Sequence, residues 1–148
     1  MTTFNIDDLI KLPSACQLIK KNPEQYVTNP GSPAFDIASH LMTDALSLSA
    51  KKVVVQQFND WFLISAEKDW IRDNLDNIKD LSVVFSRLIA IPEKGINSFR
   101  GEVLAYAFST SCFVYENRTT CVIKGDAPPR AVIELQPPDL PFSVGFSI

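Results

Sequence analysis

The chain has 148 residues, 46% hydrophobic, 21% charged and 10% aromatic, the profile of one globular domain that hides about 70% of its unfolded surface. A net charge of −3 excludes the basic footprint that general affinity for nucleic-acid backbones requires, and one histidine with three cysteines excludes a rich metal constellation or a dense disulfide scaffold. Only five glycines occur, against an average usage of about 7%, so a phosphate-cradling loop with clustered glycines is not expected.

The Met1–Asp8 segment is acidic and lacks the basic region and apolar run of a secretory signal. The longest apolar runs, such as Leu88–Ile91, are far shorter than a bilayer span. An odd number of cysteines suits a reducing compartment. The expected location is therefore cytoplasmic, without membrane attachment. Ile6 to Lys21 reads as helix interrupted at Pro13, followed by a loop carrying Asn22-Pro23 and Asn29-Pro30-Gly31-Ser32-Pro33. That N-terminal segment, 1–33, precedes an α/β sandwich over 34–148 within a single domain. From Ala34 to Ser49 the spacing predicts an amphipathic helix, with Phe35, Ile37, Ala38, Leu41, Met42, Ala45, Leu46 and Leu48 on its apolar face. Asp36, Ser39, His40, Thr43, Asp44 and Ser47 lie opposite.

Lys52–Gln57 and Trp61–Ser65 predict a hairpin around Phe58-Asn59-Asp60. The run Val53-Val54-Val55 suits a strand covered on both faces or deep in a sheet. After an acidic stretch from Glu67 to Asp80, a helix from about Asn77 to Ala90 is expected to bury Ile78, Leu81, Val84, Phe85, Leu88 and Ile89, ending at Pro92-Glu93-Lys94-Gly95. Ser98 is placed to cap a further helix with Val103, Leu104, Ala107 and Phe108 on its buried face. Three strands are expected at Ser111–Tyr115, Thr119–Lys124 and Ala131–Leu135, separated by Pro128-Pro129 and Pro137-Pro138. Phe142–Ile148 reads as a last edge strand. The order of elements predicts an α+β two-layer sandwich, with helices on one face of a mostly antiparallel or mixed sheet.

No GxGxxG, P-loop, GxSxG or HExxH motif is present. Asp36, His40 and Asp44 recur at four-residue spacing, which stacks their side chains on one helix face. Two readings stay open there: a solvated polar face, or a ligand-facing set in which the carboxylates raise the histidine pKa and hold a cation or water. Trp61 and Trp70, each preceded by aspartate, read as core packing or as an aromatic ligand clamp. Cys112 and Cys121 read as small apolar side chains on paired strands rather than a disulfide. Asn117-Arg118-Thr119 reads as turn chemistry rather than a glycosylation site.

The stretch Ser98-Phe99-Arg100-Gly101-Glu102-Val103-Leu104-Ala105 resembles the FRGEAL-A segment of the MutL mismatch-repair family, within the GHKL (Bergerat-fold) ATPase superfamily. Phe99 to Glu102, Leu104 and Ala105 match, and a serine-rich passage into a strand follows. The resemblance implies a helix start that lends backbone amides to phosphate. Upstream, the Ala34–Ala50 helix with Lys52–Val55 resembles the superfamily's first motif. Laid over Leu46–Ala50, that motif puts His40 at its catalytic glutamate and Asp44 at its magnesium-binding asparagine. The stretch Ile64–Ile71 takes the place of the DNGxGI motif, with Ala66 for the adenine-reading aspartate and Lys68 and Trp70 for both glycines. Bulk at those two positions obstructs close backbone approach to a nucleotide, and the lid region Ile91–Ser98 holds only Gly95.

These departures imply a Bergerat-like, non-catalytic binding or regulatory module with no required cofactor; ATP with magnesium is what an intact site of this kind takes. Asp36, His40, Asp44, Lys68, Trp70, Arg100 and Gly101 are the expected pocket residues, with Asp44 the one metal candidate. Lys68 and Trp70 fill the old pocket, or the pocket recognises a different small ligand. Outside the resemblance, the FRGE segment reads as an ordinary capped helix with Arg100 and Glu102 solvated and Gly101 giving close packing. A second function is an acidic protein-interaction domain of inhibitor, immunity or adaptor type, using Glu67–Asp80 and the proline-punctuated C-terminal strands as an edge for β-augmentation. A third is an enzyme working through Asp36, His40 and Asp44, with His40 as candidate catalytic residue. The expected partner is a protein or a small ligand.

Overall fold

A computed structural model describes residues 14–75, 80–95 and 98–148. The beginning of the Ile6–Lys21 helix, Asn77 and Ile78 of the second predicted helix, and Ile96 and Asn97 of the lid region lie outside the described residues.

Helix α1 (Ala15–Lys21) opens the described chain behind a capping box, in which Ser14 and Gln17 each accept from the other's backbone amide. A 3-10 turn at Pro23–Gln25 leads to α2 (Ala34–Ser47). Strands β1 (Val53–Phe58) and β2 (Trp61–Ala66) form the predicted hairpin, with Asn59 in the left-handed region at φ 51°. Short helix α3 (Ser82–Ser86), a 3-10 turn at Pro92–Lys94 and α4 (Glu102–Phe108) follow. A second hairpin, β3 (Ser111–Glu116) and β4 (Thr119–Lys124), turns at Asn117-Arg118, both at positive φ. Helix α5 (Arg130–Ile133) and β5 (Phe142–Ser147) complete the chain.

The sheet is antiparallel throughout, in the order β1-β2-β5-β3-β4. The last strand therefore inserts between the two hairpins, and Phe146 stands opposite both Phe62 and Cys112. The main core fills the space between one sheet face and the helices: α2 lies over β1 and β2, and α4 packs against α1 and α3. A smaller cluster of Leu63, Phe113 and Val132 lies on the opposite face beneath α5. Gly145 makes that second cluster possible, because a Cβ there would fall 2.3 Å from the Phe113 ring. The architecture is α+β, as expected. No helix among the described residues is long and apolar enough to cross a membrane.

Several local expectations are corrected. Phe142–Ser147 is the central strand and is buried along its whole length, since it is the one strand that satisfies the free edges of both hairpins. Val53–Val55 instead belongs to an edge strand, leaving Val55 39% exposed. Ala131–Leu135 falls on a short helix rather than a strand: Pro129 occupies its N-cap, and Arg130 Nε bonds Glu134 Oε1 at 2.8 Å one turn on. Ser98 does not cap a helix. It sits in an extended pairing, with Phe99 bridged to Ala90, and α4 starts only after Gly101. The second predicted helix is short because Ile89 and Ala90 enter that same pairing, and Leu88 is exposed. On α2, Phe35 is 68% exposed and Leu46 is exposed, while the supposedly polar-face Asp44 is fully buried.

Candidate functional site

The 3.6-residue repeat of α2 places Asp36, His40 and Asp44 along one face. Two chain segments close over that face. The Pro92–Lys94 turn brings in Lys94, and the segment leading into α4 brings in Phe99, Arg100, Gly101 and the first helical residue, Glu102.

Asp44 is the centre of the assembly. Lys94 Nζ lies 3.0 Å from Asp44 Oδ1 and 2.9 Å from His40 Nδ1, while the Gly101 amide donates to Asp44 Oδ2. An ammonium has no lone pair to offer, so His40 Nδ1 accepts and the imidazole carries its proton on Nε2. Gly101 is required by space: a Cβ would fall 2.9 Å from His40 Cβ and 3.1 Å from Asp44 Oδ2. The Phe99 ring stacks on His40 with centroids 6.3 Å apart, and Tyr26 meets Phe99 edge-on at 5.7 Å. Behind them Arg100 Nη2 and Glu102 Oε1 form a 2.7 Å ion pair with both side chains buried. The expectation that Arg100 and Glu102 are solvated is overturned: they flank a glycine that must approach α2, so both are carried under it.

Burial, reinforced by the nearby Glu102 charge, raises the Asp44 pKa to about 6 against the opposing pull of the Gly101 amide and Lys94. His40 moves down, contrary to the expectation that flanking carboxylates raise it. Burial disfavours the imidazolium first and the Lys94 charge second, and Asp36 offsets these only in part. Asp36 accepts from the Thr28 amide rather than bonding His40. The three α2 residues are therefore not a hydrogen-bonded triad, because Lys94 stands between His40 and Asp44.

Of the other expected pocket residues, Lys68 pairs with Asp73 at 3.3 Å. Trp70 is fully buried in the main core, edge-on to Phe142 at 4.9 Å. Trp61 packs on Phe113, in the cluster on the opposite face of the sheet. Trp70 is a core residue and Trp61 a half-buried one on the opposite sheet face, so the two do not form a clamp. Cys112 is buried, Cys121 is exposed, and both are free thiols. Most acids of the Glu67–Asp80 stretch serve local structure: Glu67 accepts from the Lys51 and Lys52 amides, Asp69 from Ile71 and Arg72, and Asp80 from Ser82.

Lys94 is the residue that sequence reasoning missed. In the sequence it falls in the turn that ends a helix and in the lid region Ile91–Ser98, and no motif points from it to Asp44. Beside it Ser39, His40, Thr43 and Lys94 line a cleft of about 210 Å³, below the roughly 300–1,000 Å³ of ordinary small-molecule sites. The donor set does not fit magnesium, which favours several free hard oxygens. Both Asp44 oxygens are engaged, and no group of three or more potential ligating side chains occurs among the described residues. Compared with protein-family models, curated proteins and solved structures, the chain matches none.

Proposed function

We propose that this protein is a non-catalytic binding or regulatory module of GHKL-like build, whose former nucleotide pocket is closed by its own side chains. One observation carries the proposal. Lys94 and the Gly101 amide occupy the two oxygens of the residue that the resemblance assigns to magnesium, and the amide is one that the resemblance assigns to phosphate. The internal ammonium replaces a divalent cation, and the internal carboxylate replaces an anionic ligand. His40, at the position of the catalytic glutamate, is held by Lys94 through the ring nitrogen that would otherwise be free to take a proton.

The test is a titration of a non-hydrolysable ATP analogue with and without magnesium, read by tryptophan fluorescence and thermal stability. The expected response is flat in both. Saturable, magnesium-dependent binding overturns the proposal.

A second reading, a protein-interaction domain, is supported by the two sheet edges, which no strand covers among the described residues. They lie at β1 and β4 rather than at the C-terminal strand, and expose Val55, Phe58 and Val122. Strand addition at either edge is the corresponding binding mode. The double variant Val55→Lys with Val122→Lys, which charges both edges, is expected to abolish it, as measured by size-exclusion chromatography with a bound partner.

A further inference from the structure

The face of the sheet opposite α2 carries a second hollow, independent of the Asp44 cluster and of the function proposed for it. Its volume is about 480 Å³, within the range of small-molecule sites. One wall is the β3–β4 hairpin end, with Tyr115 and Arg118. The other is the segment after α5, with Gln136, Pro137, Pro138 and Pro141.

The chemistry of the walls is specific. Three prolines and Tyr115 supply apolar lining. Arg118 lines the hollow, and its guanidinium has no ion-pair or hydrogen-bond partner among the described residues. The acid in the same lining, Glu134, is engaged by Arg130 at 2.8 Å. Arg118 is thus the one lining charge without an ion-pair partner among the described residues. Gln136 is fixed by its donation to Ser143 Oγ at 2.8 Å, and Ser143 Oγ is in turn 2.7 Å from Ser65 Oγ, so the apolar wall is anchored to the two central strands. A planar guanidinium fork matches a carboxylate bidentately, and apolar walls suit an aromatic ring.

We propose that this hollow binds a small aromatic carboxylate, its carboxylate on Arg118 and its ring between Tyr115 and the prolines. The guanidinium supplies the charge-assisted contact, and the ring contributes buried apolar area that a bare anion lacks.

The experiment is a benzoate titration of the intact protein followed by amide chemical shifts, with acetate and benzyl alcohol as probes lacking the ring and the charge. Benzoate is expected to give saturable shifts centred on Tyr115, Asn117, Arg118 and Gln136, with either control at least about tenfold weaker. Arg118→Gly removes the guanidinium and suits the positive φ of 62° at this position. It is expected to weaken benzoate about tenfold or more while leaving the thermal midpoint unchanged or higher. The Arg118→Lys variant, which keeps the charge but not the fork, is expected to fall between the two. The proposal is overturned by absence of saturable shifts at millimolar benzoate, by acetate binding as well as benzoate, or by shifts centred on His40 and Lys94. Benzoate affinity unchanged in Arg118→Gly overturns it too.

Discussion

Replacing Asp44 with asparagine tests the electrostatics of the buried cluster directly. The wild-type carboxyl has its pKa raised from 3.8 to about 6, which corresponds to about 3 kcal/mol at about 1.4 kcal/mol for each tenfold change in proton affinity. The sign follows from linkage. A folded state that holds a proton more tightly than the unfolded chain binds more protons between the two pKa values, so stability falls as pH rises through that window. Below pH 3.8 Asp44 carries no charge penalty; above about 6 it carries all of it. His40 acts in the opposite sense: its lowered pKa makes the folded state resist protonation, so stability grows as pH rises toward 6.5. Subtracting the wild-type curve from that of Asp44→Asn removes this common slope and leaves the Asp44 contribution. Asparagine has one acceptor oxygen where the aspartate uses two, so the variant loses about 1 kcal/mol at every pH. On that offset, the variant should gain about 2 kcal/mol relative to wild type between pH 4.5 and 7.5. Urea unfolding followed by the fluorescence of Trp61 and Trp70 measures both curves. If the two run parallel across that range, Asp44 does not titrate as its burial requires and the electrostatic account of the cluster fails.

Two further substitutions probe the FRGE segment. Gly101→Ala should cost about 1–3 kcal/mol in the same unfolding assay, because its Cβ meets the α2 backbone side of His40 at 2.9 Å; a neutral result refutes the close approach. Arg100→Met leaves Glu102 buried and unpaired and should cost about 3–5 kcal/mol, whereas the double variant with Glu102→Leu should recover most of that loss. A double variant as unstable as Arg100→Met alone shows that the pair is held by packing rather than charge.

The overall architecture was legible because it rests on periodicity and turn chemistry. Asn59 and Asn117 stand in left-handed turn positions and locate both hairpins. Long-range order was not legible. Val53–Val55 carries the continuous apolar run of an interior strand, yet lies at an edge, and Phe142–Ser147 carries the glycine and serines of an outer strand, yet lies at the centre. What decides is pairing: two hairpins leave open edges at β2 and β3, and the last strand fits both. The small residues then become an asset, since Gly145 admits Phe113, and Ser143 meets Ser65 across the ladder at 2.7 Å. Ala131–Leu135 failed for a local reason, because an apolar run as short as Ala131-Val132-Ile133 cannot distinguish a strand from one helical turn started by proline.

Side-chain chemistry at the cluster was legible on α2 and in the FRGE letters, but not between them. Nothing in the spacing of Lys94 from Asp44 signals a contact across 50 residues. The contact nonetheless gives the Phe99–Glu102 segment a structural role of its own. Phe99 covers His40, Gly101 brings the backbone against α2, Arg100 and Glu102 neutralise each other in the core, and the Gly101 amide satisfies a buried carboxylate. Each of these roles is met within the chain. An amide already donating to a fixed, buried carboxylate is a poor site for an incoming phosphate, because the two anions compete for one donor and repel each other at short range. Nucleotide binding at this position therefore requires Asp44 to be protonated or displaced, and the Lys94 contact opposes both.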